Sequence, residues 1–458
     1  MLKKLSAPTD LTVGAPWKGI IMFTLPMIIG NIAQQLYSTV DSIVVGQYIG
    51  DNALASVGSA APILNMLLVL FIGISAGANI MVSQYFGAKN RESLSYTIGN
   101  SITITAIACV LLIAIMTPLI RPILVALNTP ATIIDGCEDY LMISLVGIAG
   151  MAYYNILSGI IRGLGDSFSV LIYLLVATAI NIVLDIYFVA GLKMGVGGVA
   201  LATVIAQAIS SILCLIKLSK MQQFFDFKLS FFKPTAKYIK TIIKLGLPSG
   251  LTQAIFSSAM IIVQSLTNQF GEQFIAANVV IMRVDGFAMM PNFSFGMALT
   301  TYAGQNVGAG LYDRVTKGAK QGTLIAAGCS AFITGIILLF GKYLMGIFTN
   351  TQELVDMSYY LMKILAVGYI AMAVTQSLSG IMRGAGDTMT PMWISLMTSV
   401  GMRIPVAYGI SYLTRTPELP FGRCECIQIS LLATWIIGAV LTTVFYARGK
   451  WKTKAIKQ

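Results

Sequence analysis

Three carboxylates interrupt long apolar stretches of this chain: Asp41, Asp185 and Asp285. In the first stretch Asn31, Gln34, Ser38 and Asp41 are spaced by three or four, which puts them in one stripe of a helix. Asn181 and Asp185 are four apart in a second stretch, and Thr203 and Gln207 are four apart in a third. Two carboxylates, an amide and a hydroxyl form a hard oxygen environment suited to a small cation such as Na+. The same two carboxylates suit a proton, because desolvation and like charge both favour the protonated form, and such a pair titrates as a unit. Asn181 and Thr203 alone would read as polar groups satisfying each other between packed helices. Two aspartates with no lysine or arginine in the same three stretches, apart from Lys18 and Lys217 at their ends, call for a cation.

A second set is less decided. Arg283 and Asp285 are two apart and point to different helix faces. Asp285 either pairs with Arg403 or Lys363, or takes part in a substrate site, and the residues alone leave both readings open. Met282, Met289, Met290 and Met297 offer an adaptable surface for varied ligands or simply fill a core. Tyr37, Tyr153, Tyr154 and Tyr369 are candidates to stack on cationic compounds. The substrate cavity assembled from these readings comprises Gln34, Tyr37, Gln207, Arg283, Asp285 and Met289. Pro26 and Pro248 each remove a backbone donor within an apolar helix, which makes Pro26 a candidate gating bend.

The elements that must position these groups are membrane helices. Of the 458 residues, 56% are hydrophobic and only 10% charged, and the mean hydropathy is +0.81. A soluble domain carries about 25% charged residues, so this chain has too few to cover a water-facing surface. The apolar runs are long and do not alternate, which argues against a transmembrane barrel. Twelve helices are expected, at about 18–45, 58–83, 96–120, 139–161, 168–190, 197–217, 245–269, 276–303, 321–346, 357–382, 389–413 and 427–447. With the N-terminus placed in the cytoplasm, 22 of the 30 lysines and arginines fall on the inner side, 5 on the outer side and 3 within spans. That asymmetry predicts cytoplasmic N- and C-termini and accounts for the net charge of +12 without nucleic acid.

The chain also repeats itself. Ser158-Gly159-Ile160-Ile161-Arg162-Gly163-Leu164-Gly165-Asp166-Ser167 returns 221 residues later as Ser379-Gly380-Ile381-Met382-Arg383-Gly384-Ala385-Gly386-Asp387-Thr388. Gln84, Gly87 and Ala88 return as Gln305, Gly308 and Ala309, and Leu25-Pro26 returns as Leu247-Pro248. The expected architecture is all-α, with two six-helix lobes related by a pseudo-two-fold axis along the membrane normal and a cavity between them. The lobes span 1–217 and 245–447, joined by a cytoplasmic linker at 218–244 and followed by a basic tail at 448–458. In the repeated segment the glycines suit a helix C-terminus, and Asp166 and Asp387 suit the N-cap of the next helix.

Other chemistry is excluded by composition. There is no histidine, hence no Ser-His-Asp triad, histidine zinc site or histidine proton relay. The six cysteines are scattered and read as buried thiols. Gly73-Ile74-Ser75-Ala76-Gly77 fits a hydrolase elbow but lies inside a span, and Gly246 and Gly250 fit a small-residue helix-packing pattern. No phosphate-binding loop is present, so ATP is not the direct energy source.

The polar stripe of the first helix, ending Val45-Gly46-Gln47, together with Asn181, Asp185, Thr203 and the duplicated Arg-Gly-x-Gly-Asp segment, resembles the multidrug and toxic compound extrusion (MATE) family along essentially the whole chain. The likeness is to bacterial members of the DinF and NorM type. It implies a monomeric, twelve-helix secondary exporter in a bacterial inner membrane, in contact with membrane lipids. It would expel cationic, amphipathic drugs in exchange for protons or sodium ions and use no other cofactor. It further implies a coupling site at Asp41, Asn181, Asp185 and Thr203, with Pro26 as a bend point. NorM-like acidic residues in the seventh and tenth helices are missing here. Rival readings are a flippase of lipid-linked oligosaccharides from the same superfamily and a passive channel; a membrane enzyme lacks a nucleophile–base pair.

Overall fold

The computed structural model of the chain describes residues 8–456, apart from the side chains of Ser38, Asp41, Ser42 and Asp51. Among the described residues the fold is helical, and the one strand-like pairing is an isolated bridge between Thr416 and Leu419. The first half comprises α1 (Pro16–Tyr48), α2 (Asp51–Gly87), α3 (Arg91–Met116), a short α4 (Ile120–Ala126), α5 (Ile134–Val146), α6 (Ile148–Gly163), α7 (Ser167–Asp185) and α8 (Gly195–Ser219). The second half comprises α9 (Ala236–Thr267), α10 (Glu272–Gly308), α11 (Tyr312–Gly346), α12 (Gln352–Ala366), α13 (Gly368–Gly384), α14 (Met389–Ser399), α15 (Arg403–Leu413) and α16 (Cys426–Ala447).

Among the described residues nine helices are long and apolar enough to cross a membrane, α7 being extended by a wider turn at Ile186–Gly191. The fourth and tenth expected spans are bent pairs: α5 meets α6 at 52° and α12 meets α13 at 44°. The eleventh, expected at 389–413, is divided into α14 and α15 of 11 residues each. Large apolar side chains point outward, as with Leu339 at 77% and Phe332 at 71% exposure, a surface that hydrocarbon accommodates and water does not.

The bends have a local cause. Gly147 and Gly368 sit between the paired helices, 221 residues apart, the same offset as the sequence repeat. A Cβ on Gly368 would lie 2.5 Å from the Trp435 ring and 3.0 Å from Leu432, and one on Gly147 would overlap Val204. Each glycine therefore admits a side chain of the last helix in its half against the broken span. The repeated decapeptide behaves alike in both halves. Gly165 and Gly386 take φ of +92° and +97° just beyond α6 and α13, a left-handed conformation that glycine adopts at no steric cost. Asp166 then accepts hydrogen bonds from the Ser169 backbone N–H and hydroxyl, and Asp387 from those of Thr390. Asp166 is thus the N-cap of α7, as expected, whereas Asp387 bonds the first turn of α14 from one residue before its N-cap, Thr388. Asp166 differs in also pairing with the Lys217 ammonium at 2.9 Å.

The chain divides into two compact units. One contains residues 8–10 and Leu25–Gly250; the other contains Leu11–Thr24 and residues 251–456. In the first unit, α2 and the beginning of α9 approach through glycines: a Cβ on Gly250 would lie 3.2 Å from the Val69 carbonyl oxygen, and one on Gly73 3.1 Å from that of Gly246. The stretch before α9 is tied to α3, where the Arg91 guanidinium donates to the carbonyls of Gln222 and Gln223, each at 2.7 Å, and pairs with Asp226 at 2.7 Å. Asn100 accepts from the Thr235 N–H at 2.7 Å. The second unit holds the start of the chain in a similar way. Arg314 donates to the carbonyls of Val13 at 2.7 Å and Gly14 at 2.8 Å, and Gln305 accepts from the Leu11 N–H at 2.9 Å. The core of this unit packs α10 against α13, where a Cβ on Gly384 would meet that of Ala303 at 2.8 Å.

Candidate functional site

In the first unit the polar residues of α1, α7 and α8 converge. Asn181 and Asp185, one turn apart on α7, are each 1% exposed. The Asn181 amide donates to the Thr203 hydroxyl at 3.3 Å, and Thr203 shares a second hydrogen bond with the Tyr37 hydroxyl at 3.1 Å. Three helices are thereby linked through one threonine oxygen. The Asn181 carbonyl oxygen is buried and has no hydrogen-bond partner among the described residues. A buried acceptor beside a carboxylate and a hydroxyl matches what a dehydrated cation requires of its ligands.

Of the residues expected in the cation site, the structure brings Asn181 and Thr203 into contact and buries Asp185 on the same helix as Asn181. Asp41 lies in α1, but its side chain is outside the described residues. Tyr37, expected to line the substrate cavity, joins the same polar cluster through its hydrogen bond with Thr203. Gln34 is exposed, and Gln207 is half-buried one turn beyond Thr203 on α8. Pro26 lies inside the continuous α1, and Gly30, four residues on, packs where a Cβ would meet Leu171 and Leu174 of α7. The six cysteines are free thiols, and among the described residues no group of three or more Cys, Asp or Glu forms a metal cluster.

The second unit contains a cavity of about 260 Å³ between α9, α10, α15 and α16. Its polar lining is Gln264, Thr267, Asn278, Asp285, Arg403 and Gln428, joined by the Trp435 indole, and its apolar lining includes Phe256, Met282, Met289 and Phe293. Asp285 accepts a hydrogen bond from the Tyr369 hydroxyl at 2.9 Å. Tyr369 is thus a buried partner of the carboxylate, and its ring leans on Trp435 at a centroid distance of 5.6 Å. Among the described residues no ion pair joins Asp285 to Arg403 or Lys363; the Lys363 ammonium lies 4.9 Å over the Tyr359 ring. Of the residues assigned to the substrate cavity, Asp285 and Met289 line this second-unit cavity, and Arg283 is exposed and does not. Sequence reasoning missed Asn278, Gln428 and Trp435. Their signal was a seven-residue spacing, Asn278 to Asp285 on one helix and Gln428 to Trp435 on another.

Comparison with known proteins places this architecture. The profile of the MatE family matches twice, over residues 26–187 and 248–409. The Bacillus subtilis "Probable multidrug resistance protein YoeA" is 28% identical over 451 residues, spanning 96% of this chain and 95% of its own. The Thermotoga maritima "Probable multidrug resistance protein NorM" is 26% identical over 452 residues, with 96% and 94% covered. A crystal structure of a MATE in complex with MaL6 superposes with a TM-score of 0.89 at 23% identity, covering 96% of this chain and 97% of that one. The two profile matches start 222 residues apart, which nearly reproduces the internal repeat, and together they cover most of the described helices. This multi-pass, two-repeat membrane protein therefore belongs to the MatE family.

Proposed function

We propose that the protein is a secondary active exporter that expels cationic, amphipathic compounds in exchange for protons or sodium ions. In this reading it resides in a bacterial inner membrane, acts as a monomer among lipids, and has both termini in the cytoplasm. The observation that carries the proposal is the buried cluster of Tyr37, Thr203 and Asn181, with an unpartnered amide oxygen one helical turn from Asp185. Names of relatives with whole-length similarity, such as YoeA and NorM, support multidrug export as the transported function.

The chemistry follows from the residues. A cation entering the cluster exchanges its hydration shell for the Asp185 carboxylate, the Asn181 carbonyl and the Thr203 hydroxyl, with Asp41 as the second acid. A proton entering instead neutralises the carboxylates as a pair. Either ligand drives export only if it binds one conformation of the protein better than another, and the substrate has the opposite preference. The coupling is reciprocal: the ion weakens substrate binding by the same factor as substrate weakens ion binding. Pro26 is the proposed bend through which occupancy of the cluster changes the course of α1.

Reconstitution in liposomes loaded with a fluorescent cationic dye tests the reading. A pH gradient and a sodium gradient are imposed separately. Dye movement driven by one of them supports exchange and identifies the ion. Dye movement that ignores both, or that persists unchanged in Asp185→Asn, rejects it.

A further inference from the structure

The stretch between α8 and α9 carries a charge pattern that the export reading does not use. Between Asp226 and Glu272 the chain has five lysines, Lys228, Lys233, Lys237, Lys240 and Lys244, and no acid. All five are exposed, and Asp226 itself is paired with Arg91 at 2.7 Å. Lys237, Lys240 and Lys244 are spaced by three and four, so they share one face of α9. The same stripe continues, three residues on, into Leu247, which is 53% exposed. A row of ammoniums giving way to exposed leucine marks a helix that passes from headgroups into hydrocarbon.

The loop before α9 descends along α3 and returns. The Asp226 N–H donates to the Ser95 hydroxyl at 2.8 Å, and the Phe231 and Phe232 carbonyls accept from Asn100 at 3.2 Å and Thr103 at 2.7 Å. The Thr235 N–H then comes back to Asn100 at 2.7 Å, and the Tyr238 ring stacks on Tyr96 at a centroid distance of 5.1 Å. About 20 residues cross the hydrocarbon, and counting that many back from Met116, the far end of α3, reaches Thr97. The tip of the loop therefore lies at the hydrocarbon boundary. Non-helical backbone is kept at that depth only where protein groups satisfy it, which the Asn100 and Thr103 side chains do here. The rings packed around the tip suit the same level: Phe231 meets Tyr96 edge-on at 4.8 Å and Phe227 meets Phe232 at 5.2 Å. On this clamped backbone Leu229, in the 3-10 turn Leu229–Phe232, is left 88% exposed between Lys228 and Lys233.

From this arrangement we infer that the loop at 227–233 and the first turns of α9 form a docking surface for anionic phospholipid of the leaflet they face. Leu229 enters the boundary between headgroups and acyl chains, and the lysines around it hold the lipid phosphates. In water a leucine fixed in an exposed position stabilises nothing, whereas in hydrocarbon its whole side chain is buried. Ammoniums with no competing carboxylate favour an anionic headgroup over a zwitterionic one, which brings its own positive charge. The inference does not depend on which ion or compound the protein moves.

The test is native mass spectrometry of the full-length protein in detergent, titrated with dioleoyl phosphatidylglycerol or dioleoyl phosphatidylcholine. The wild type is expected to prefer phosphatidylglycerol. Each lysine near an anionic surface is worth about fivefold in affinity. Lys228→Gln with Lys233→Gln should therefore weaken phosphatidylglycerol binding about 25-fold and leave phosphatidylcholine binding unchanged. Lys193→Gln with Arg423→Gln removes the same charge from segments assigned to the opposite side and should leave both lipids unaffected. Leu229→Trp gives a second readout that needs no change of charge. In liposomes its added emission over the wild type should be quenched by lipids brominated near the headgroup end of their chains, and not by aqueous iodide. Equal affinity of the wild type for the two lipids, or an equal loss in both double variants, overturns the inference. So does displacement of phosphatidylglycerol by soluble glycerol phosphate, or iodide quenching at position 229.

Discussion

Thr203→Val is the most informative single change in the cation cluster, because it removes a hydroxyl and keeps the shape. The lost oxygen is the meeting point of two interhelical hydrogen bonds, from Asn181 at 3.3 Å and with Tyr37 at 3.1 Å. Hydrogen bonds between membrane helices average about 0.6 kcal/mol in double-mutant cycles. Two of them sum to about 1.2 kcal/mol of positioning energy, which the bound ion must then supply. That corresponds to at least a roughly sevenfold rise in the ion concentration giving half-maximal transport, to which the loss of the hydroxyl as a ligand adds. Thr203→Ser keeps the oxygen and should restore the wild-type value. Tyr37→Phe removes one bond of the two and should give about half the positioning energy, a shift of between two- and threefold. The assay is ion-driven dye transport in proteoliposomes as a function of ion concentration. The reasoning fails if Thr203→Val matches the wild type, or if Thr203→Ser is as impaired as Thr203→Val.

Other expectations concern the scaffold. Gly384→Ala places a Cβ against Ala303 and the Thr300 carbonyl, and should lower thermal stability in detergent by about 1–3 kcal/mol of overpacking, read by fluorescence-detected size exclusion. Asp387→Ala removes two hydrogen bonds to the first turn of α14 and should cost about 1 kcal/mol in the same assay. Asp166→Ala should cost more, because it also strips the Lys217 ammonium of its buried partner. Arg91→Ala releases the carbonyls of Gln222 and Gln223, so trypsin should cut faster at Lys220 and Lys228 with no change in ion dependence. The hydrogen bond from Arg91 holds the Asp226 carboxyl below the usual carboxylate range. Its contribution is therefore complete above the unfolded pKa of about 3.9 and is lost only as pH falls through the lower folded value. Wild-type linker protection should accordingly be flat from neutral pH down to about 4 and decline below it.

The spans were legible because hydropathy over twenty residues is a collective signal that single substitutions do not erase. The bonds of Asp166 and Asp387 to the next helix were legible because an aspartate after a glycine-rich helix end has few other local uses. The bends at Gly147 and Gly368 were not: their cause is the side chain that comes from a distant helix, Val204 in one half and Trp435 in the other. Gly73–Gly77 and Gly246–Gly250 were read as two unrelated motifs, although Gly73, Gly77, Gly246 and Gly250 are the two sides of one helix contact. The residues of the proposed cation site could be picked out because polar groups at helical spacing stand out in apolar surroundings. The hydrogen bond between Tyr37 and Thr203 was not legible, because a tyrosine hydroxyl gives no sign in sequence of the partner it will find. The second-unit cavity was half seen: its two charges were noted, whereas Gln428 and Trp435 are ordinary members of an apolar helix until the fold turns both inward.

In the proposed function, ion occupancy of the Asn181–Asp185–Thr203 cluster drives export. The most direct test is substrate movement in proteoliposomes under an imposed ion gradient with no other energy source, comparing wild type with Asp185→Asn. The account predicts accumulation against a substrate gradient in the wild type, driven by protons or by sodium, and only downhill leakage in the variant. Equal uphill movement in both proteins, or none in a correctly inserted wild type under either gradient, would contradict it.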